Sequence, residues 1–189
     1  MEDVTFTPLL EPSDEVVAAF TRWENDPLLI PLTRPNRSQE DLERRHEVTL
    51  EAMRQRLTYQ RVYLISLGGR LVGEMNYQID PPHLLRRVPG TAWVGITIGE
   101  AHGRGRGVGR LALRHLEREI AAQGLVRIEL GVFAFNLPAL ALYTKLGYQE
   151  FARVDDFTYW QGRMWQDIRM EKDVSAIAAP SPGSGSAAR

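Results

Sequence analysis

The chain has 189 residues, no cysteine, and 23 basic against 24 acidic side chains, for a formal charge of −1. This balance excludes disulfides, thiolate metal ligands and a cysteine nucleophile, and leaves no global field to draw the protein onto nucleic acid or an anionic membrane. The length makes one domain the default, expected over residues 1–174; no apolar run nears a membrane span and no basic-then-apolar start is present, so the expected setting is cytoplasmic with no membrane partner.

Residues 4–9 read as a short strand and residues 13–24 as a helix that Ser13 can cap. Residues 25–37 hold Pro27, Pro31 and Pro35, cannot be regular helix, and are expected as a loop at a substrate rim. A second helix is expected from Ser38, spaced from Asp41 as in a capping box, with Leu42, His46, Leu50, Met53 and Leu57 at a helical period. From Gln60 the period becomes two: Val62 and Leu64 lead to Gly68-Gly69, and the return strand alternates Leu71, Gly73, Met75, Tyr77 and Ile79 with Val72, Glu74, Asn76 and Gln78. That pattern is a hairpin.

Residues 80–90, with three prolines and His83, read as a loop, and residues 91–99 as a strand with Val94, Ile96 and Ile98 on one side. A helix over residues 110–122 is expected to bury Val108, Leu111, Ala112, Leu116 and Ile120, ending near Gly124 before a strand at 127–133 with Ile128, Leu130 and Val132 inward. Strand, crossover helix and strand in that order imply parallel pairing. A short helix follows Asn136, stopping at Gly147, then strands at 148–154 and 164–171. Residues 175–189 are dominated by Pro, Gly, Ser and Ala near the end and are expected as a disordered tail.

The most informative segment is Arg104-Gly105-Arg106-Gly107-Val108-Gly109, standing between an apolar strand and an amphipathic helix. Glycines at a helix start leave backbone N–H groups uncovered at the positive end of the helix dipole, which makes a pyrophosphate site. Arginine and glycine mixtures also occur in nucleic-acid-binding segments and in purely structural turns; the ordered flanks favour the phosphate reading. No Gly-Lys-Ser/Thr follows, so the P-loop pattern fails, and the dinucleotide fingerprint lacks its third glycine.

That segment resembles the Arg/Gln-x-x-Gly-x-Gly/Ala signature of the GNAT superfamily of acyltransferases. Asn136-Leu137-Pro138-Ala139-Leu140-Ala141-Leu142-Tyr143-Thr144-Lys145-Leu146-Gly147-Tyr148 resembles a second family motif, Asn-x-x-Ala-x-x-Leu-Tyr-x-Lys-x-Gly-Phe. The arm from Trp160-Gln161-Gly162 to Asp167-Ile168-Arg169-Met170 is most similar to the branch of polyamine and ribosomal-protein N-terminal acetyltransferases. The resemblance implies a mixed α/β fold, a central twisted mixed sheet of about seven strands flanked by about four helices. It implies acetyl-CoA as cosubstrate, with the amides of Arg104, Gly105, Arg106, Gly107, Val108 and Gly109 on the pyrophosphate. Ile96, Ile98, Asn136 and Tyr143 would lie along the CoA arm, the Ile98 N–H polarising the thioester and Tyr143 giving a proton to the leaving thiolate. A homodimer is a further family expectation.

The expected reaction is acetyl transfer to a primary amine by direct attack in a ternary complex, with a small-molecule amine or a protein N-terminus as acceptor. The alternatives are a non-catalytic acyl-CoA sensor and nucleic-acid binding through Arg104, Arg106, Arg110 and Arg114, which the neutral charge disfavours. A glutamate that the branch often carries early in the strand before the glycine turn is replaced here by Trp93. Glu74, on the polar side of its strand, is the substitute candidate base, against the plain reading of a solvated strand residue. Asn136 also reads as a helix cap, Tyr143 as a core aromatic, Trp93 as packing and Asp155-Asp156 as a charged turn. The four histidines have no metal-ligand spacing, and no metal is expected.

Overall fold

The computed structural model describes residues 2–177. Its strands are β1 (Val4–Pro8), β2 (Arg61–Leu67), β3 (Arg70–Ile79), β4 (Thr91–Thr97), β5 (Arg127–Phe133), β6 (Gln149–Trp160) and β7 (Arg163–Asp173). They form one sheet in the order β1-β2-β3-β4-β5-β7-β6, antiparallel at every junction except the parallel β4–β5 pair. The helices are α1 (Asp14–Glu24), α2 (Ile30–Thr33), α3 (Gln39–Glu43), α4 (Leu50–Tyr59), α5 (Val108–Ala122) and α6 (Leu137–Lys145). Six helices, rather than about four, flank the sheet because short turns of helix form where loops and one longer helix were expected.

Each face of the sheet buries its own core. On one face Met75, Tyr77, Val94, Ile128, Leu130, Ile168 and Met170 pack against Val108, Ala112, Leu113, Leu116 and Ile120 of α5 and Tyr143 of α6. On the other, Val62 packs against Val16, Ala19, Phe20 and Trp23 of α1 and Met53 of α4. Of the expected α5 stripe, Val108, Ala112, Leu116 and Ile120 are buried, but Leu111 is 39% exposed and Leu113 is fully buried in its place. Because both Leu residues are adjacent to Ala112, periodicity alone does not fix which side of the stripe meets the sheet.

The helix expected to run on from Ser38 is two helices separated by residues 44–49. Ser38 caps the first, accepting from the Asp41 N–H, and Thr49 caps the second, accepting from the Ala52 N–H. Between them the Asn25 side chain accepts from the His46 N–H and donates to the His46 carbonyl, both at short range. The Thr21 hydroxyl accepts from the Val48 N–H. These side chains on and just after α1 offer the backbone partners that a continuous helix would otherwise supply, so tertiary contact overrides the local period. Of the expected stripe only Met53 is buried.

Residues 25–37 are mostly irregular, as expected, yet Pro31 sits in the first turn of α2, where its missing N–H costs nothing. The charged turn expected at Asp155-Asp156 lies instead within β6, which runs on to Trp160 before a tight turn. The register with β7 shifts between Val154 and Thr158, with Asp156 at φ 46, so the strand continues past a bulge. The tail expected over residues 175–189 lies, from residue 178 onward, outside the described residues. Ile177 still packs against the main core.

Candidate active site

The glycine turn leads directly into α5. Gly105 and Gly107 have φ of 70° and 79°, a left-handed conformation that L side chains rarely adopt, and a Cβ at either would meet open space. Gly107 is the N-cap of α5, and no side chain caps the helix. The amides of Val108, Gly109 and Arg110 in its first turn therefore have no intrahelical acceptor. A Cβ at Gly109 would stand 3.4 Å from Leu142 and 4.0 Å from Ile96, which ties the turn to α6 and β4.

Neither arginine of the turn is free for an anion. The Arg104 guanidinium donates to the carbonyls of Ile98 and Gly99 at 2.9 and 2.7 Å and also reaches Asp26, so it closes the loop between β4 and α5. Arg106 pairs with Glu2 at 2.8 Å near the surface. With both side chains engaged, what the turn offers an anion is its main-chain amides.

Beside this cradle the sheet opens. β4 and β5 pair only at Thr91–Arg127, Ala92–Ile128 and Trp93–Glu129. Toward the glycine turn the last β3–β4 pair is Glu74–Thr97, and the next bond runs from the Glu100 N–H to the Val72 carbonyl, so Ile98 and Gly99 fall out of register. Ile96 and Ile98 pack partly buried on the α5 face. Asn136 caps α6, its side-chain oxygen accepting from the Ala139 N–H. The Tyr143 ring is buried edge-on to Tyr148 at 5.8 Å, and desolvation pushes its hydroxyl pKa up to about 12. It therefore stays a proton-bearing donor at neutral pH.

The opposite face of the gap is polar and buried. Glu74 is 7% exposed, against the plain expectation of a solvated strand residue. Both of its oxygens accept from the Arg56 guanidinium of α4, at 3.2 and 3.1 Å, and both accept from the Asn76 amide at 3.2 Å. A small pocket over this pair is lined by Phe20, Trp23, Glu24, Thr33 and Thr97. Across β4, Trp93 packs against the Arg169 guanidinium at 4.7 Å and edge-on to His83 at 4.8 Å. Arg169 pairs with Asp167 at 2.6 Å, and Glu129, fully buried, holds Arg127 at 3.0 Å and the Leu85 N–H at 3.0 Å. Burial pushes the Asp167 carboxyl above its ordinary value against the pull of Arg169.

The structure thus brings Arg104 to Gly109, Ile96, Ile98, Asn136 and Tyr143 to one side of the opening and Glu74 with Trp93 to the other. Sequence reasoning missed Arg56, Asp167 and Arg169. The alternation of Asp167, Arg169 and Glu171 with Ile168 and Met170 was visible as a polar strand face. It carried no sign that this face is buried. The Asp155-Asp156 pair is exposed, with the Asp156 carbonyl accepting from Arg37 at 2.8 Å.

A model of the acetyltransferase (GNAT) family matches residues 18–148, more than half of the chain. The chain belongs to the GNAT acetyltransferase family. A curated relative, the [ribosomal protein bS18]-alanine N-acetyltransferase of Salmonella typhimurium, is 47% identical over 45 residues, which span 24% of this chain and 30% of that relative. The fold is also that of a putative acetyltransferase from Salmonella typhimurium solved with its cofactor acetyl-CoA. That likeness has a TM-score of 0.68 at 22% identity over 95% of this chain and 99% of the other. The spermidine N-acetyltransferase of Vibrio cholerae, solved with CoA and spermine, gives a TM-score of 0.69 at 18% identity, covering 91% and 96%.

Proposed function

We propose that this protein is an acetyl-CoA-dependent N-acetyltransferase that joins an acetyl group to a primary amine by direct attack within a ternary complex. The observation that carries this reading is the opening between β4 and β5 after Trp93, set beside a helix start whose amides are uncapped and whose turn glycines take positive φ. Acetyl-CoA held there would supply the activated acetyl group. The amides of residues 105–110 would hold its diphosphate, the positive helix end adding to the attraction. Ile96 and Asn136 would flank the arm that runs into the gap.

Ile98, displaced from the ladder, would offer its N–H to the oxygen on which negative charge develops, a role worth about 10²- to 10³-fold when a single donor of this kind is lost. Tyr143 would donate its hydroxyl proton to the departing sulfur. A group at about 12 is a weaker acid than an ordinary thiol near about 8.5, so it acts first as a hydrogen bond that strengthens as charge leaves, and its proton passes to sulfur only as a proton from the attacking nitrogen replaces it. On the opposite face the charge-balanced pair of Glu74 and Arg56 would offer a polar wall to the amine, and Trp93 an aromatic one.

The acceptors named for the relatives, an alanine of ribosomal protein bS18 and spermidine, support an amine as acceptor. The test is thiol release from acetyl-CoA with spermidine, an alanine-initiated peptide and amino acids offered separately. Intersecting initial-rate patterns with one of these amines are expected. Parallel patterns, or an acetylated enzyme trapped without acceptor, would contradict direct attack.

A further inference from the structure

We propose that Asp167 is the proton acceptor for the incoming amine, brought to the edge of the opening beside Gly131, which has no side chain to displace it; the proposal rests on the acetyltransferase reading above. β5 and β7 pair Gly131 with Arg169 and Phe133 with Asp167, which sets all four on the face opposite α5. Gly131 is two residues past Glu129, the last β5 residue paired to β4, so it borders the opening. A Cβ there would stand 2.7 and 2.8 Å from the two Asp167 oxygens and 3.0 Å from the Trp93 ring. The missing side chain is what lets a carboxylate and an aromatic ring meet at the gap.

Three carboxylates are buried on this face, and their partners separate their roles. Both Glu74 oxygens are engaged by Arg56 and Asn76, and Glu129 holds Arg127, the Leu85 N–H and, at 3.7 Å, Arg169. Asp167 is 2% exposed, and among the described residues its one ion-pair partner is Arg169. It therefore keeps lone-pair capacity for a donor arriving in the gap. Tyr143 approaches from the α5 face and Asp167 from the other. Such a placement lets an amine enter on one side of the sheet while the thiol leaves on the other.

In the step, Asp167 takes one proton from the ammonium group, directly or through one water, and passes it to solvent. The neutral nitrogen forms its bond to the carbonyl carbon as the carbon–sulfur bond breaks. The sulfur takes the Tyr143 proton, and the second nitrogen proton returns to Tyr143 through water. The balance is ammonium plus thioester giving amide, thiol and one proton. The groups that bear on Asp167 are Arg169 on its own strand, Glu129 on β5 and His83 of the 80–90 loop, which reaches the cluster through Trp93. Arg169 holds the carboxyl down against burial, so its removal must move titration to higher pH.

The experiment follows kcat/KM against pH for the fastest amine of the panel in the wild type and in Asp167→Asn, Gly131→Ala and Arg169→Gln, with acetyl-CoA affinity measured by calorimetry on each. We expect Asp167→Asn to retain acetyl-CoA affinity, to lose about 10²- to 10⁴-fold in kcat/KM and to lose the acidic limb of the profile. Arg169→Gln should shift that limb to higher pH, a readout a merely structural ion pair does not move, and Gly131→Ala should lower kcat with acetyl-CoA affinity intact. An acidic limb unchanged in both Asp167→Asn and Arg169→Gln would overturn the assignment while leaving the acetyltransferase reading in place. A wild type that takes up no acetyl-CoA would overturn the reading itself.

Discussion

At the scale of single residues, the site is built from side chains whose neighbours restrict what they can do. Arg104, which by charge alone suits a phosphate, is spent on two carbonyls of its own loop. Tyr143 is the clearest opposite case, a buried phenol whose raised pKa follows from desolvation alone. Tyr143→Phe keeps the ring and its packing against Tyr148 and removes only the donor. The expected outcome is a fall in kcat of about 10²-fold or more, with acetyl-CoA affinity and thermal midpoint close to those of the wild type. Steady-state rates and calorimetry on the same preparation check it, and an unchanged kcat removes Tyr143 from the chemistry.

At the scale of elements, the start of α5 depends on backbone shape more than on charge. Gly107 at φ 79° has empty space where a Cβ would go, so Gly107→Ala is sterically allowed but conformationally strained. It should cost about 1–2 kcal/mol of stability, read from denaturant midpoints, and weaken acetyl-CoA binding as the first-turn amides shift. The glycine turn, the hairpin, the parallel β4–β5 unit and the cap at Asn136 were legible because each rests on local chemistry. The break between α3 and α4 was not, since it is made by Asn25 and Thr21, some 21 and 27 residues away from the backbone groups they bind. The burial of Glu74, Asp167 and Arg169 was hidden for the same reason. Their alternation reads as a solvated face until a second layer is known to lie over it.

At the scale of the whole molecule, one seven-stranded sheet separates two chemically different faces and is split only between β4 and β5. The α5 face is apolar, and the opposite face combines a core under α1 and α4 with buried ion pairs. Residues far from the gap also set the pH range over which this arrangement is stable. His115 lies between Phe6 at 4.7 Å and Tyr63 at 5.5 Å, and burial lowers its pKa, with Glu119 opposing and Arg118 adding to the shift. The unfolded chain then binds more protons than the native one between that lowered value and about 6.5, so stability rises with pH through this window and is lost on acidification. His115→Phe should flatten that rise in thermal midpoints measured between about pH 5 and 7, leaving the share due to His83, which is also lowered by burial. An identical slope in the variant would contradict the assignment to His115.

The proposed cosubstrate site rests on main-chain amides at the start of α5 that would grip a diphosphate beside a split sheet. Calorimetric titration of the wild type with acetyl-CoA and, separately, with acetyl-pantetheine, which lacks the diphosphate, tests it most directly. The expected result is one acetyl-CoA bound per chain and a severalfold or greater loss of affinity for acetyl-pantetheine. Equal affinity for the two, or no uptake of either, would contradict it.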